Sequence, residues 1–149
     1  MAVSYQLVID CASPETLARF WAEALHYVVA PPPDGFDSWD TFYRSIGVPE
    51  EELGIGDDRI VDPHGEGPQI WFPVVPEKKS VKNRLHIDWV PDERTRDEEV
   101  DRLTALGAKL FEDHRTPDGK GWVTMQDPEG NEFCVERSTL ERSGAQVTD

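Results

Sequence analysis

The 149-residue sequence predicts an α+β fold made of two βαβββ modules, and three observations carry that reading. The order strand, helix, short strands, turn, closing strand runs through the chain twice. The two candidate helices end in related steps, Ala24-Leu25-His26 and Ala105-Leu106-Gly107. The same turn precedes each closing strand: Asp62-Pro63-His64-Gly65, then Asp127-Pro128-Glu129-Gly130. One Asp-Pro-x-Gly turn is ordinary chemistry. A matching order in both halves is much less expected by chance.

The first element is Tyr5-Gln6-Leu7-Val8-Ile9-Asp10-Cys11, a β-rich run with Tyr5, Leu7 and Ile9 on one face and Gln6, Val8 and Asp10 on the other. Ser13-Pro14-Glu15 then starts a helix, with serine at the cap and proline in the first turn. Leu17, Phe20, Trp21, Ala24 and Leu25 recur at helical spacing and predict an apolar stripe. Val28-Val29 suggests a strand that Pro31-Pro32-Pro33 interrupts, Trp39 to Ile46 a short helix, and Pro49 to Gly56 a surface excursion. Gln69 to Val75 returns to strand. In the second module, Leu85 to Val90 reads as a strand. Arg96 to Leu106 is a helix with Val100, Leu103 and Leu106 on one face, stopped by Gly107. Gly121 to Gln126 and Asn131 to Glu136 are strands. Module one spans about residues 4–77, a basic linker 78–83, module two 84–136, and a frayed tail 137–149, all within a single domain.

Composition excludes several functions. Thirty acids against fifteen bases give a net charge of −15, which repels nucleic acid and anionic membranes over much of the surface. Cys11 and Cys134 are too few for a disulfide framework and suit a reducing compartment. The N-terminal stretch has no basic region leading into an apolar core, and no window approaches the roughly 20 apolar residues that span a bilayer. The expectation is a cytoplasmic protein, monomeric or homodimeric, with a small-molecule ligand. There is no Gly-rich phosphate loop, no G-x-S-x-G elbow and no paired C-x-x-C.

The stretches Leu7 to Pro14, Ala18-Arg19-Phe20-Trp21, Val75-Pro76-Glu77-Lys78, Val81-Lys82-Asn83-Arg84-Leu85-His86-Ile87-Asp88, Ala105 to Ala108 and Asp127 to Val135 resemble the vicinal oxygen chelate superfamily. Within it, they are similar to glyoxalase-like proteins of actinobacterial type. The resemblance implies mixed sheets curled around a central cavity, as in glyoxalase, bleomycin-resistance and dioxygenase proteins. In metal-using members it implies four side chains, usually His, Glu or Gln, holding a divalent ion that polarises the substrate. Gln6 falls where the first-module ligand is often His, and His86 matches the second-module His. Cys134 falls where the closing strand normally supplies Glu, and the fourth position lies near Phe72 or Pro73. That donor set implies no cofactor, an incomplete metal site and no true glyoxalase I activity. If a metal is bound, His86, Cys134 and Glu136 are the ligands, and the alternative function is a metal-dependent lyase, isomerase or dioxygenase.

Among individual residues, His86 stands on the opposite strand face from Leu85 and Ile87, with Asp88 two positions on. Its two readings are a polar anchor or general base in the cup, and a histidine bonded structurally to the next strand. Asp10 and Asp88 sit in matching Ile-Asp steps and could divide acid and base roles, or merely cap the following helices. Gln6, Trp71, Trp122, Cys134 and Glu136 complete the candidate ligand-binding set, the tryptophans as apolar walls.

Overall fold

The computed structural model describes residues 1–54 and 56–144. The chain divides into two compact units, Met1–Lys78 and a second beginning at Lys79, next to the expected linker. Among the described residues no helix is long and apolar enough to cross a membrane.

In the first unit β1 (Leu7–Val8), α1 (Pro14–Leu25), β2 (Val28–Val29), α2 (Trp39–Ser45), a 3-10 turn (Glu50–Glu52), β3 (Arg59–Val61) and β4 (Ile70–Trp71) follow in order. The sheet runs β1-β4-β3-β2, with β1 parallel to β4 and the other pairs antiparallel. The ladder proper is short, but main-chain bonds from Leu7, Ile9 and Cys11 to the carbonyls of Gln69, Trp71 and Pro73 extend it over the expected strand. Of the predicted stripe of α1, Leu17, Phe20, Trp21 and Ala24 are buried, joined by Ala18, whereas Leu25 is half-buried; Ile60, Ile70 and Phe72 are the buried residues of the sheet. Ser13 occupies the cap position, yet its hydroxyl bonds Thr16 Oγ1 at 2.9 Å rather than a helix amide. His26 closes the helix at φ +60°, a left-handed conformation more usual for glycine.

The second unit holds β5 (Asp88–Trp89), α3 (Arg96–Leu106), β6 (Lys109–Asp113), β7 (Val123–Gln126), β8 (Glu132–Val135) and α4 (Thr139–Ser143). Its sheet order, β5-β8-β7-β6, repeats the first, again with one parallel pair, β5 with β8. Both modules are therefore βαβββ units of mixed sheet. Thr95 and Glu98 form a capping box, and Val100 and Leu103 are buried, whereas Leu106 is only half-covered. Arg96 is buried on the same helix because it donates to the carbonyls of Lys120 and Gly121, both at 3.0 Å, tying the loop before β7 to α3. Gly121 itself cannot carry a side chain: its φ is +86°, and a Cβ would lie 1.9 Å from the His114 carbonyl oxygen.

Three elements differ from expectation. Strands β3 and β6 lack a readable pattern, β3 for its three residues and β6 because all five of its residues are exposed on a sheet edge. The tail does not fray from residue 137: Ser138, fully buried, and Glu141 form a capping box that starts α4, and Glu141 also accepts the Arg96 amide at 2.7 Å. Residues 145–149 of the expected tail lie outside the described residues. The basic linker is anchored, since Lys79 Nζ and the Asn83 amide donate to the Glu132 carboxylate at 3.1 and 2.9 Å.

Candidate functional site

Both first strands show the same alternation of cover. Residues 6–11 and 86–91 each run exposed, half-buried, exposed, half-buried, exposed, buried. The pairing agrees, since Val8 stands opposite Trp71 and Asp88 opposite Cys134. Gln6 and His86 are thus equivalent positions of the repeat. By the same register the position equivalent to Cys134, expected near Phe72 or Pro73, falls at Trp71.

In the second unit, β5 turns Ile87 and Trp89 towards the interior, where Trp89 lies 6.4 Å from the Phe133 ring. The alternation leaves His86 and Asp88 on the open face. Main-chain bonds from Cys134 to Ile87 and from Glu136 to Trp89 lock β5 against β8, so Asp88, Cys134 and Thr124 form a row across three strands. His86 Nδ1 and Asp88 Oδ1 are 3.0 Å apart. A carboxylate accepts, so the bond suits the tautomer that carries its proton on Nδ1, in which Nε2 is an acceptor. Thr124 Oγ1 is 3.5 Å from Cys134 Sγ, and donor atoms of His86, Asp88 and Cys134 lie within 4.8 Å of one another.

The electrostatics oppose a thiolate. Burial, reinforced by the carboxylates of Asp88 and Glu136, pushes the Cys134 thiol above its ordinary range against the opposing pull of the Thr124 hydroxyl. A Cys–His nucleophile requires the reverse surroundings.

Other predicted residues have different surroundings. Gln6 Oε1 accepts from Gln69 Nε2 at 2.7 Å, an amide pair across β1 and β4. Asp10 is exposed, and its counterpart in the repeat is Val90 rather than Asp88, so the two Ile-Asp steps are offset by two residues. Neither aspartate is a cap: Ser13 and Thr95 hold those places. Trp71 donates to Asp58 Oδ2 at 3.0 Å, and Trp122, 40 % exposed, stacks on His114 with ring centroids 4.6 Å apart. Glu136 lies 3.8 Å from Arg142 and is outside the converging donor group, in which Asp88 takes the place expected for it.

Several contributors were missed. Asn83 bonds both Glu132 and Asn131 (Nδ2 to Oδ1, 3.1 Å), fastening the chain just before His86. Its only signal was its place in Lys82-Asn83-Arg84-Leu85-His86. Asp62 and Asp127 explain the repeated turns, because each carboxylate accepts amides two and more residues onward. A recess of about 710 Å³ opens in the first unit beside Trp39, Ala30 and Asp57, and none of the predicted residues lines it.

A divalent ion of the kind the resemblance implies needs three or four well-placed donors. The four matching positions hold one imidazole, one paired amide, one protonated thiol and one indole, which has no metal donor. This set does not fit that ion. The local group of His86, Asp88 and Cys134 supplies three donors from one sheet.

A family model described as a glyoxalase-like domain matches residues 6–136. Among curated proteins none matches the sequence. Solved structures share the fold at low identity. A fosfomycin resistance protein, FosX, from Listeria monocytogenes, complexed with Mn(II) and dihydroxypropylphosphonic acid, is 14 % identical with a TM-score of 0.61, over 98 % of this chain and 99 % of that one. A FosX from Mesorhizobium loti gives 11 %, 0.58, 98 % and 99 %. A glyoxalase/bleomycin resistance/dioxygenase superfamily member from Sphaerobacter thermophilus gives 17 %, 0.55, 91 % and 97 %.

Proposed function

Because the chain belongs to the glyoxalase-like domain family of the vicinal oxygen chelate superfamily, we propose that it binds a small molecule on the open face of its second sheet, with His86 as the contacting group. The observation that carries this reading is the oriented imidazole. Asp88 holds Nδ1 at 3.0 Å, so Nε2 is aimed by a bonded partner, and both side chains are exposed. Nε2 would accept a hydroxyl or amide proton from the ligand. The half-buried Cys134 and buried Thr124 would form the floor beside it. Glu136, just after β8, and Trp122, just before β7, would border that floor; Gln6, Trp71 and Asp10 would have to act from the first unit.

In this reading the protein works without a complete metal site and is not a glyoxalase I, because position 134 offers a protonated thiol where that chemistry requires a carboxylate. Fragment screening by ¹⁵N NMR tests it. Ligands should perturb the Thr124 and Cys134 amides, and glutathione-dependent glyoxalase activity should be absent. Fragments that bind while leaving both amides unmoved would defeat the assignment.

The convergence of His86, Asp88 and Cys134 within 4.8 Å supports a second reading, a metal-dependent lyase, isomerase or dioxygenase. Elemental analysis of protein purified without added metal separates the two. One equivalent of zinc or another transition metal, lost in Cys134→Ser, would favour the second.

A further inference from the structure

In the first unit, β3 places Arg59 directly opposite Trp71 on the face turned away from the core residues Ile60 and Ile70. The α2 excursion brings Trp39 to the same guanidinium. Arg59 Cζ lies 5.4 Å from the Trp71 ring centroid and 5.5 Å from that of Trp39. Both rings are pinned. Trp71 Nε1 donates to Asp58 and Trp39 Nε1 to the Ala30 carbonyl at 2.9 Å, while Tyr43 stacks on Trp39 at 5.6 Å. Gly56 admits Trp39, since a Cβ there would sit 3.0 Å from Trp39 Cβ.

Within this frame the guanidinium makes no hydrogen bond with a described residue. Its Nε is buried and forms an ion pair with Asp58 Oδ1 at 3.5 Å, but neither atom makes a hydrogen bond with a described residue. Buried polar groups normally find partners. Arg44 and Arg115 by contrast meet Glu50 and Asp113, both at 2.7 Å. Arg59 is a half-buried cation (side chain 30 % exposed) framed by aromatic rings, ion-paired with Asp58 at 3.5 Å and without a hydrogen-bond acceptor among the described residues.

We propose that Arg59, framed by Trp39 and Trp71, is a recognition point for a small organic monocarboxylate. The planar fork of guanidinium matches two carboxylate oxygens. One cation with Asp58 alongside suits a monoanion better than a doubly charged phosphate. Trp71 and the exposed Val8 across the ladder offer apolar surface for the body of the ligand. The inference goes beyond the role given to His86 and does not depend on it, because every residue it uses lies in the first unit.

Benzoate, with benzamide as its neutral isostere and inorganic phosphate as a second anion, tests the site in the whole protein. The indole N–H signals of Trp39 and Trp71 and the Nε–H signal of Arg59 are followed by NMR. Benzoate should shift all three saturably, benzamide and phosphate should bind at least about tenfold more weakly, and Arg59→Gln should lose a similar factor. Arg59→Lys, which keeps the charge and the rings but lacks the fork, should fall between. Equal binding of benzamide, tighter binding of phosphate, or unchanged benzoate binding in Arg59→Lys would overturn the proposal, and the first two are read on the wild type if Arg59→Gln fails to fold. The His86 reading is followed at the Thr124 and Cys134 amides, so either can fail alone.

Discussion

Replacing His86 by alanine separates a ligand-contacting imidazole from a structural one. The side chain is 36 % exposed, and its hydrogen-bond partner Asp88 is 57 % exposed. An exposed pair of this kind contributes roughly 0–1 kcal/mol to stability. For a chain of this size ~1 kcal/mol moves Tm by about 2–4 °C, so His86→Ala should melt within a few degrees of the wild type. Loss of a hydrogen bond to a ligand worth ~1.4 kcal/mol is a tenfold loss of affinity. Fragments that shift the Thr124 and Cys134 amides should therefore bind the mutant about tenfold more weakly. Glu132→Ala calibrates the opposite behaviour. Its carboxylate is 4 % exposed and accepts from Lys79 and the Asn83 amide, so truncation strands two donors at a cost of about 2–4 kcal/mol and should lower Tm by roughly 5–15 °C. If His86→Ala melts as low as Glu132→Ala while fragment affinity is unchanged, His86 is a structural residue and the site assignment fails.

Cys134 should react with iodoacetamide more slowly than a free thiol at neutral pH, and Asp88→Asn should speed it only in part, because burial is the larger cause of its raised pKa; mass spectrometry of the labelled peptide measures both. Burial alone would raise the Glu132 carboxyl, yet the Asn83 amide and Lys79 together hold it below its ordinary value of 4.5. Its contribution is present above that pH and is lost as pH falls through the lower folded value, so acid melts of Glu132→Gln should show a shallower decline than the wild type. Ser138→Ala removes the buried cap of α4 and should cost about 1 kcal/mol in denaturant titration, with a wild-type midpoint as the contrary result.

The parts of the fold that were legible in the sequence are those whose burial is one-sided. Helix α1 announces itself through Leu17, Phe20, Trp21 and Ala24, and all four are buried. Strand β6 has no such asymmetry: Leu110 and Phe111 remain 49 % and 42 % exposed and a register shift between Leu110 and Glu112 interrupts the alternation, so an edge strand looks like loop. The end of the second module was misread for a related reason. Ser138-Thr139-Leu140-Glu141 is polar, and polarity suggested fraying, but serine followed three residues later by glutamate is also the signature of a capped helix start. Arg59 was overlooked because a lone basic residue carries no periodic signal. Its meaning comes from the strand register and from Trp39, twenty residues away in the chain.

The same register decides how much of the site the sequence could disclose. His86 and Asp88 are two apart on one strand, so their shared face follows from alternation alone, and their hydrogen bond bears that out. Cys134 and Trp71 reach their places through parallel pairing to a strand at the other end of the module, and a slip of one residue in either closing strand would have put Phe72 or Phe133 there instead. Both phenylalanines are buried to within 1 % in the cores, so burial fixes the register and, with it, what stands at the open face: an indole in one module and a thiol in the other. The departure from the expected donor set therefore follows from how the strands are packed. Phe72→Ala or Phe133→Ala would lower stability, but neither would change which side chains face outward unless the whole strand slipped, and that would expose the core.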